Sequence, residues 1–254
     1  MGRATTAGSG DRSRSDGSSG RPSQPTGRRT GSGSSSKRPA PSAGPLFRFD
    51  REFGTRYVGG TDEAGRGCLA GPLVAAGVLL DLDGISRSDR LALARLDDSK
   101  KRSSADRERL YPAVLRAATA TAVSVRSVEE IDRGGVHKAN LAALTDCLQA
   151  LARPDATLLV DGFSLPACEL DHEAVVKGDS RSAAIAAASV VAKVTRDRFM
   201  QHADRLFPGW GFGGHAGYSS AAHRDAIASI GISPLHRRSF ASVAYSQLNL
   251  DSAA

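Results

Sequence analysis

Residues 57–80, YVGGTDEAGRGCLAGPLVAAGVLL, place two adjacent carboxylates, Asp62 and Glu63, inside a run of glycine and apolar residues. The apolar segments on either side are bounded by glycines, which predicts two short strands joined by a tight connection. Burying an ionised carboxylate without compensation is costly, so two acids in such a strand need a functional reason. Neighbouring side chains on a strand point to opposite faces, so we expect the strand to break at AGRG and let both acids reach one ligand.

The segments that follow predict three more strands. ATATAVSVRSV is the third, ATLLVDGF is the fourth and stops at Asp161, and HEAVVKGD is the fifth and stops at Asp179. The first three strands are not separated by crossover helices, which favours a mixed sheet over an all-parallel one. The sequence therefore predicts an α/β domain in which helices cover a mixed central sheet and the carboxyl end is helical.

Four segments have the spacing or composition of helices. One lies between the second and third strands, with Ser103 or Ser104 as its cap and DDSKK (97–101) as an exposed loop before it. KANLAALTDCLQALA is a helix that ends before Pro154, and the alanine-rich stretch 182–207 is long enough for about seven turns. A short helix begins at about Ser220, after a glycine-rich loop.

The amino-terminal region, residues 1–45, has a different composition from the rest. It contains 11 Ser, 9 Gly and 5 Pro, with no aromatic residue and no Leu, Ile or Val, which predicts a disordered tail followed by one domain over residues 46–254. The tail carries eight Lys or Arg against two Asp, whereas the remainder has 26 basic and 25 acidic residues. The sequence pI of about 9.7 therefore indicates at most a loose, salt-sensitive attraction of the tail to polyanions.

Other features of the sequence exclude several classes of protein. No stretch is long and apolar enough to span a membrane, and the amino end lacks the apolar core of a secretory signal. The three cysteines are too few and too scattered for a disulfide framework or a zinc site, which is typical of a cytoplasmic protein. There is no Walker pattern and no nucleophile elbow, so we expect neither a nucleotide cofactor nor covalent catalysis.

The acids at strand ends predict a metal centre. Asp62, Glu63, Asp161 and Asp179 would repel one another unless a cation neutralised them, and oxygen-only ligands suit Mg²⁺ or Mn²⁺. Such clusters serve the hydrolysis of phosphodiesters. Taken singly, Asp161 and Asp179 could equally be turn formers, since Asp161 precedes Gly162.

Several motifs in one order resemble type 2 ribonuclease H, the bacterial ribonuclease HII family. They are GTDEAGRGCLAGPLVAAGVLL, DDSKK, LLVDG, VVKGDSRSAAIAAASVVAKVTRDRFM, FPGWGFGGHAGYSSAAH and PLHRRSF, which together cover roughly residues 57–245. The resemblance implies a ribonuclease H fold and an endonuclease that cuts the RNA strand of an RNA–DNA hybrid, leaving 5′-phosphate and 3′-hydroxyl ends. It also implies incision 5′ to ribonucleotides embedded in duplex DNA.

The resemblance also assigns roles to residues. It makes Asp62, Glu63, Asp161 and Asp179 the metal-binding acids, and it implies that Tyr218 stacks on the sugar after the ribonucleotide. The substrate-binding residues predicted are Gly65, Arg66 and Gly67 at the ribose 2′-hydroxyl, Lys100, Lys177 and Ser220 at phosphates, and Tyr218. The family more often has Gly-Thr where Ser219 and Ser220 stand, which puts the conformation of this loop in question.

Two other functions fit part of the pattern. A DNA-directed nuclease of the same broad fold would also use clustered acids, and a non-catalytic nucleic-acid binding module would use the basic tail and leave the acids unexplained. The sequence favours the hybrid-directed enzyme, whose partners are RNA–DNA hybrids and ribonucleotide-containing duplex DNA. We expect it to act as a monomer away from membranes.

Overall fold

The protein is seen in a computed structural model that describes residues 44–94, 96 and 103–240 of the 254. Almost all of the predicted tail and the whole DDSKK loop, including Lys100, lie outside the described residues. Of the described helices, none is long and apolar enough to cross a membrane.

A mixed five-stranded sheet forms the centre of the domain. Its strands are β1 (Tyr57–Ala64), β2 (Leu73–Asp81), β3 (Ala118–Arg126), β4 (Ala156–Asp161) and β5 (Glu173–Val175), in the order β3-β2-β1-β4-β5. β2 is antiparallel to both β1 and β3, whereas β4 is parallel to β1 and to β5. The predicted mixed sheet is confirmed, and its parallel half brings the carboxyl ends of β1, β4 and β5 to one edge.

Eight α-helices surround the sheet or follow it. They are α1 (Pro45–Glu52), α2 (Arg87–Leu93), α3 (Ser104–Ala117), α4 (Val128–Gly134), α5 (Val136–Leu151), α6 (Ala183–Leu206), α7 (Phe212–His215) and α8 (Ala221–Ile230) within the described part of the chain. Serine caps the starts of α3, α4, α6 and α8, where a side-chain oxygen accepts a backbone N–H of the first turn. Of the two predicted caps of α3, Ser103 is the one used, and the predicted start of α8 at about Ser220 is confirmed.

The two faces of the sheet pack on different helices. On one face, Ala76 and Val78 belong to a core with the alanine-rich helix α6, and on the other, Ala75 and Leu79 pack with residues of α5. Burial on both faces explains the nearly continuous apolar sequence of β2. Gly60 permits a close approach of α6, because a Cβ there would lie 2.3 Å from the Ile185 backbone nitrogen.

Candidate active site

The predicted acids collect at the edge where the parallel strands end. Asp62 lies near the end of β1 and Asp161 is the last residue of β4. Asp179 lies in a 3-10 turn, Gly178–Ser180, that follows β5. Together with Glu63 they line a single cleft of about 440 Å³. The crevice outside the carboxyl ends of strands is the usual ligand site in open α/β sheets.

Asp62 and Glu63 both reach this cleft, and β1 ends at the first residue of AGRG, so the predicted break at AGRG is confirmed. The break follows both acids and does not separate them. β1 continues through both acids to Ala64, with Asp62 opposite Ala76 and Glu63 opposite Ala75 in β2. Residues directly opposite in an antiparallel pair share a face, so Asp62 lies on the α6 side and Glu63 on the α5 side. The cleft lies across the end of the sheet and receives one carboxylate from each face.

Burial raises the pKa of the Asp62 carboxyl well above its usual range. Hydrogen bonding from Ser189 on α6 opposes this shift, while the neighbouring charges of Asp161 and Glu63 add to it. Asp62 is 7% exposed, so water screens it little. A buried acid with two acidic neighbours is held at a cost to folding.

Glu63 has a different balance of neighbours. Burial is the largest cause of its raised pKa, and the Arg66 guanidinium, whose Nη1 lies 3.7 Å from Glu63 Oε1, acts against it. Asp161 raises the pKa further, and the amide of the fully buried Asn140 on α5 lowers it. The two adjacent acids therefore have different polar neighbours, Ser189 at Asp62 and Asn140 at Glu63.

Asp161 fixes the turn that carries Asp179. The Gly178 N–H donates to Asp161 Oδ1 at 2.6 Å, which ties the 3-10 turn to the end of β4. The prediction that the fifth strand runs to Asp179 is wrong, because β5 ends at Val175 and Lys177 adopts a left-handed conformation with φ of 55°. This turn bends the chain so that Asp179 is buried at the cleft, four residues beyond the strand.

The GRG loop forms one wall of the cleft. Gly65 has φ of +88°, and a Cβ there would lie 2.0 Å from Arg196 Nε, so glycine is required by both conformation and space. The buried Arg196 guanidinium donates to the carbonyls of Pro72, Ala70 and Ala216. Arg66 is exposed at the cleft mouth, where its guanidinium is free to reach a ligand beyond Glu63.

Tyr218 lies on the loop between α7 and α8 and closes another side of the cleft. Its ring is 42% exposed, with Lys193 Nζ 5.0 Å and Arg196 Cζ 5.8 Å from the ring centroid. The positive φ values in this loop fall on Ala216 (48°) and Gly217 (78°), so Ser219 meets no conformational requirement for glycine. The loop is therefore compatible with the serine that departs from the family pattern.

Two basic residues that sequence reasoning missed also line the cleft. Lys193 on α6 and Arg107 on α3 lie beside Tyr218, and both pair with Asp197, at 2.5 Å from Lys193 Nζ to Oδ1 and at 3.5 Å from Arg107 Nη2 to Oδ2. The available signal was the spacing of four that places Ser189, Lys193 and Asp197 on one side of α6. Arg107 had no comparable signal, because its helix reaches the cleft only through packing on α6.

The remaining predicted substrate contacts lie at different places. Lys177 is exposed and is not among the residues that line the cleft. The Ser220 hydroxyl accepts the His223 N–H at 3.2 Å and so caps α8. Lys100 lies outside the described residues. Contacts of these three residues with phosphate stay predictions.

The donor set suits a hard divalent cation, although its geometry is open. Within residues 44–94, 96 and 103–240, no three His, Cys, Asp or Glu side chains are arranged to hold one ion. The cleft nevertheless gathers four carboxylates and no sulfur or imidazole ligand, and burial raises the pKa of both Asp62 and Glu63, although Arg66 partly offsets the shift at Glu63. Oxygen-only ligands of this kind select Mg²⁺ or Mn²⁺.

Comparisons with known proteins point to one family. A family model described as Ribonuclease HII matches residues 59–243. The chain is 44% identical over 201 residues to Ribonuclease HII of Geobacillus kaustophilus, covering 78% of this chain and 74% of that protein. It is 46% identical over 212 residues to Ribonuclease HII of Syntrophotalea carbinolica, covering 81% and 96%. The structure of the PCNA:RNase HII complex from Archaeoglobus fulgidus matches with a TM-score of 0.62 at 29% identity, over 77% of this chain and 99% of that one.

Proposed function

The chain belongs to the ribonuclease HII family, and we propose that it is a metal-dependent endonuclease that incises 5′ to ribonucleotides embedded in duplex DNA. Its family membership makes it a ribonuclease H that acts on RNA–DNA hybrids. The observation that carries the finer proposal is the cleft itself, where four acids, the GRG loop and Tyr218 meet. The products would have 5′-phosphate and 3′-hydroxyl ends.

Asp62, Glu63, Asp161 and Asp179 would hold the metal. Divalent ions in such a site supply an activated water and stabilise the leaving oxygen. Asp62 and Glu63 enter the cleft from the two faces of the sheet, and Asp161 keeps the turn of Asp179 in place through Gly178. The chain thus preorganises the acids on rigid strand ends and leaves only side-chain adjustment for binding.

The GRG loop and Tyr218 account for the choice of ribonucleotide. Arg66 is exposed and Gly67 has open space where a Cβ would be, so a sugar can approach the backbone closely. A 2′-hydroxyl both donates and accepts a hydrogen bond, which lets this loop discriminate ribose from deoxyribose. Tyr218 would stack on the following sugar, and a deoxyribose there offers no 2′-hydroxyl to obstruct the ring.

Lys193 and Arg107 extend the contact toward the phosphates. Both lie at the cleft beside Tyr218, and both share Asp197, which fixes their side chains without removing the net positive charge of the group. Phosphate contacts of this kind position the duplex and carry no sequence information. We therefore expect cleavage that depends on the sugar and not on the base.

The test is cleavage of a labelled DNA duplex that contains one ribonucleotide, in Mg²⁺, in Mn²⁺ and in chelator, beside an all-DNA duplex. We expect a metal-dependent cut only 5′ to the ribonucleotide. Asp161→Asn should abolish it, whereas Asp155→Asn, at the opposite end of the same strand, should cleave like the wild type. Equal cleavage of both duplexes would indicate a DNA-directed nuclease, and binding without cleavage would indicate a non-catalytic module.

We also propose that residues 46–254 form the catalytic domain and that residues 1–45 are a tail that raises affinity for duplexes only at low salt. A truncation should retain Gly44, because its carbonyl accepts the Arg48 N–H at 3.1 Å at the start of α1. Removal of residues 1–43 should weaken binding in low salt and leave the position of the cut unchanged. A monomeric state and a cytoplasmic location stay predictions, which light scattering and cell fractionation would check.

A further inference from the structure

A chain of buried imidazoles lies beneath the loop that carries Tyr218. His223 on α8 is fully buried and His236 is 2% exposed. Their Nε2 atoms lie 3.1 Å apart, and His215 stacks on His223 with ring centroids 4.1 Å apart. Phe212 packs on all three rings, so the cluster is enclosed by aromatic surface.

The hydrogen bonds fix which nitrogen of each ring carries the proton. The Ser233 N–H donates to His236 Nδ1 at 2.8 Å, so neutral His236 has its proton on Nε2. That proton is donated to His223 Nε2, which leaves the proton of His223 on Nδ1. His223 Nδ1 then donates to the Tyr218 carbonyl at 2.9 Å. The four groups form one directed chain from the last loop to the backbone of Tyr218.

The surroundings of His223 and His236 favour the neutral form of both imidazoles. Burial lowers the pKa of His223 to about 4 and that of His236 to about 4. A protonated His236 could no longer accept from Ser233, and a protonated His223 would place two donors face to face. At neutral pH the chain is therefore intact.

The backbone of the Tyr218 loop depends on such contacts. Ala216 adopts a left-handed conformation, which costs energy for a residue with a Cβ. Tyr218 is 42% exposed as a residue, and its hydroxyl interacts with Cys68, so the direction of the ring also depends on where the loop backbone lies. The Tyr218 carbonyl accepts the His223 Nδ1–H at 2.9 Å and the Ser220 N–H at 2.8 Å, and the preceding Gly217 carbonyl accepts the Leu69 N–H at 2.9 Å from the loop that follows GRG.

We propose that His223 is a positioning residue that aims the Tyr218 ring through its Nδ1–H, with His236 fixing the required tautomer. The inference rests on the proposed function, because the ring it positions is the one that reads the junction between ribonucleotide and deoxyribonucleotide. Loss of the donor leaves the Tyr218 carbonyl with only the Ser220 N–H from its own loop, and Tyr218 can then leave the stacking direction. Selection of the junction then weakens while the acids and the GRG loop keep their places.

Two substitutions of His223 separate this role from simple packing. The side-chain amide of His223→Asn can place a donor near the position of Nδ1, whereas His223→Gln places its amide near Nε2. We expect His223→Asn to keep the wild-type ratio of cleavage at a single ribonucleotide to cleavage within an all-RNA strand of a hybrid. His223→Gln should reduce that ratio by about tenfold, mainly through KM for the single-ribonucleotide duplex. His202→Asn, an exposed histidine on α6, is the control and should change nothing.

The fold of each variant is read from the fluorescence of Trp210, the one tryptophan, which stacks near Phe212 beside the imidazoles. An unchanged cleavage ratio in folded His223→Gln, or an equal loss in both variants, would overturn the proposal. If the wild type itself cleaved without regard to ribonucleotides, the proposed function would fail before the variants were compared.

A measurement on the wild-type protein tests the same proposal without depending on the folding of a variant. Imidazole ¹⁵N NMR at neutral pH should show His223 protonated at Nδ1 and His236 protonated at Nε2. A duplex with one ribonucleotide should shift the His223 resonances, whereas those of His202 should not move. Finding His223 protonated at Nε2 would remove the donor to Tyr218 and overturn the proposal.

Discussion

The acids at the two ends of the central sheet lie in opposite electrostatic environments. At the end where β1 and β4 begin, Asp81 accepts two hydrogen bonds from Arg56, and Asp155 lies in a two-point pair with Arg153. The guanidinium partners lower the pKa of both carboxyls below their usual range. These pairs lie at the solvent-exposed surface, so keeping their side chains ionised costs little folding free energy.

At the end where the strands finish, the acids are collected without enough positive charge to balance them. Burial raises the pKa of Asp62 and Glu63, and Arg66 offsets only part of the effect at Glu63. Selection for stability would pair or remove such groups, as at the opposite end. This contrast supports the proposal that the cleft acids bind a positively charged ligand.

The largest contrast should come from removing one acid at each end. Asp62→Asn should abolish cleavage and raise the free energy of unfolding by about 2 kcal/mol, because a buried carboxylate is replaced by a neutral amide. Asp81→Asn should leave cleavage unchanged. Single-turnover cleavage and urea unfolding measure both effects, and turnover by Asp62→Asn at the wild-type rate would contradict the assignment of the metal site.

Binding of a divalent metal should offset the loss of folding stability that the buried cleft acids cause. A divalent ion that binds only the folded state stabilises it by about 2.7 kcal/mol at a concentration of one hundred times its Kd. We expect Mn²⁺ or Mg²⁺ to raise the Tm of the wild type and to have a smaller effect on Asp62→Asn. Equal shifts in the two proteins would show that the ion binds elsewhere.

Asp50 is a buried acid in a third kind of environment, against the start of α6. It is fully buried on α1, its Oδ2 accepts the Ala184 N–H at the start of α6, and burial raises its pKa to about 6. Between pH 4 and 6 the folded state binds more protons than the unfolded state, so this group makes stability fall as the pH rises through that range. Asp50→Asn should remove up to about 3 kcal/mol of the decline in the free energy of unfolding over this pH range.

Urea unfolding of the wild type and Asp50→Asn at pH 4, 5, 6 and 7 measures the Asp50 effect as the difference between the two curves. The other buried acids and histidines titrate in both proteins and cancel in this difference. A constant difference across the range would show that Asp50 does not change its protonation there.

The smallest effect should be at the solvent-exposed pairs. Arg153→Ala removes the pair with Asp155 and the contact of its guanidinium, 3.7 Å from the Tyr57 ring centroid. Exposed ion pairs contribute little to stability, and this one lies at the far end of β4 from the cleft. We expect unchanged cleavage and little change in the urea midpoint, and a loss of activity would mean that the two ends are coupled through β4.

Much of the fold could be predicted because its signals are local. Ser103 and Ser220 act as caps within one turn of their own helices, and the apolar runs of β1 and β2 become strands whatever surrounds them. The fifth strand could not be bounded from sequence, since the left-handed turn at Lys177 depends on the bond from Gly178 to Asp161. That bond joins residues 17 positions apart and has no local signature.

The candidate active site shows the same difference between features with a local sequence signal and features that depend on long-range contacts. The four acids, the glycine-rich loop and the tyrosine could be predicted from residue types and their order along the chain. The packing of distant segments was needed to show that Asp62 and Glu63 reach one cleft from opposite faces, that Lys193 lines it, and that His223 donates to the Tyr218 carbonyl. Composition and spacing act along the chain, whereas burial, repulsion between acids and long-range hydrogen bonds exist only once distant segments have packed together.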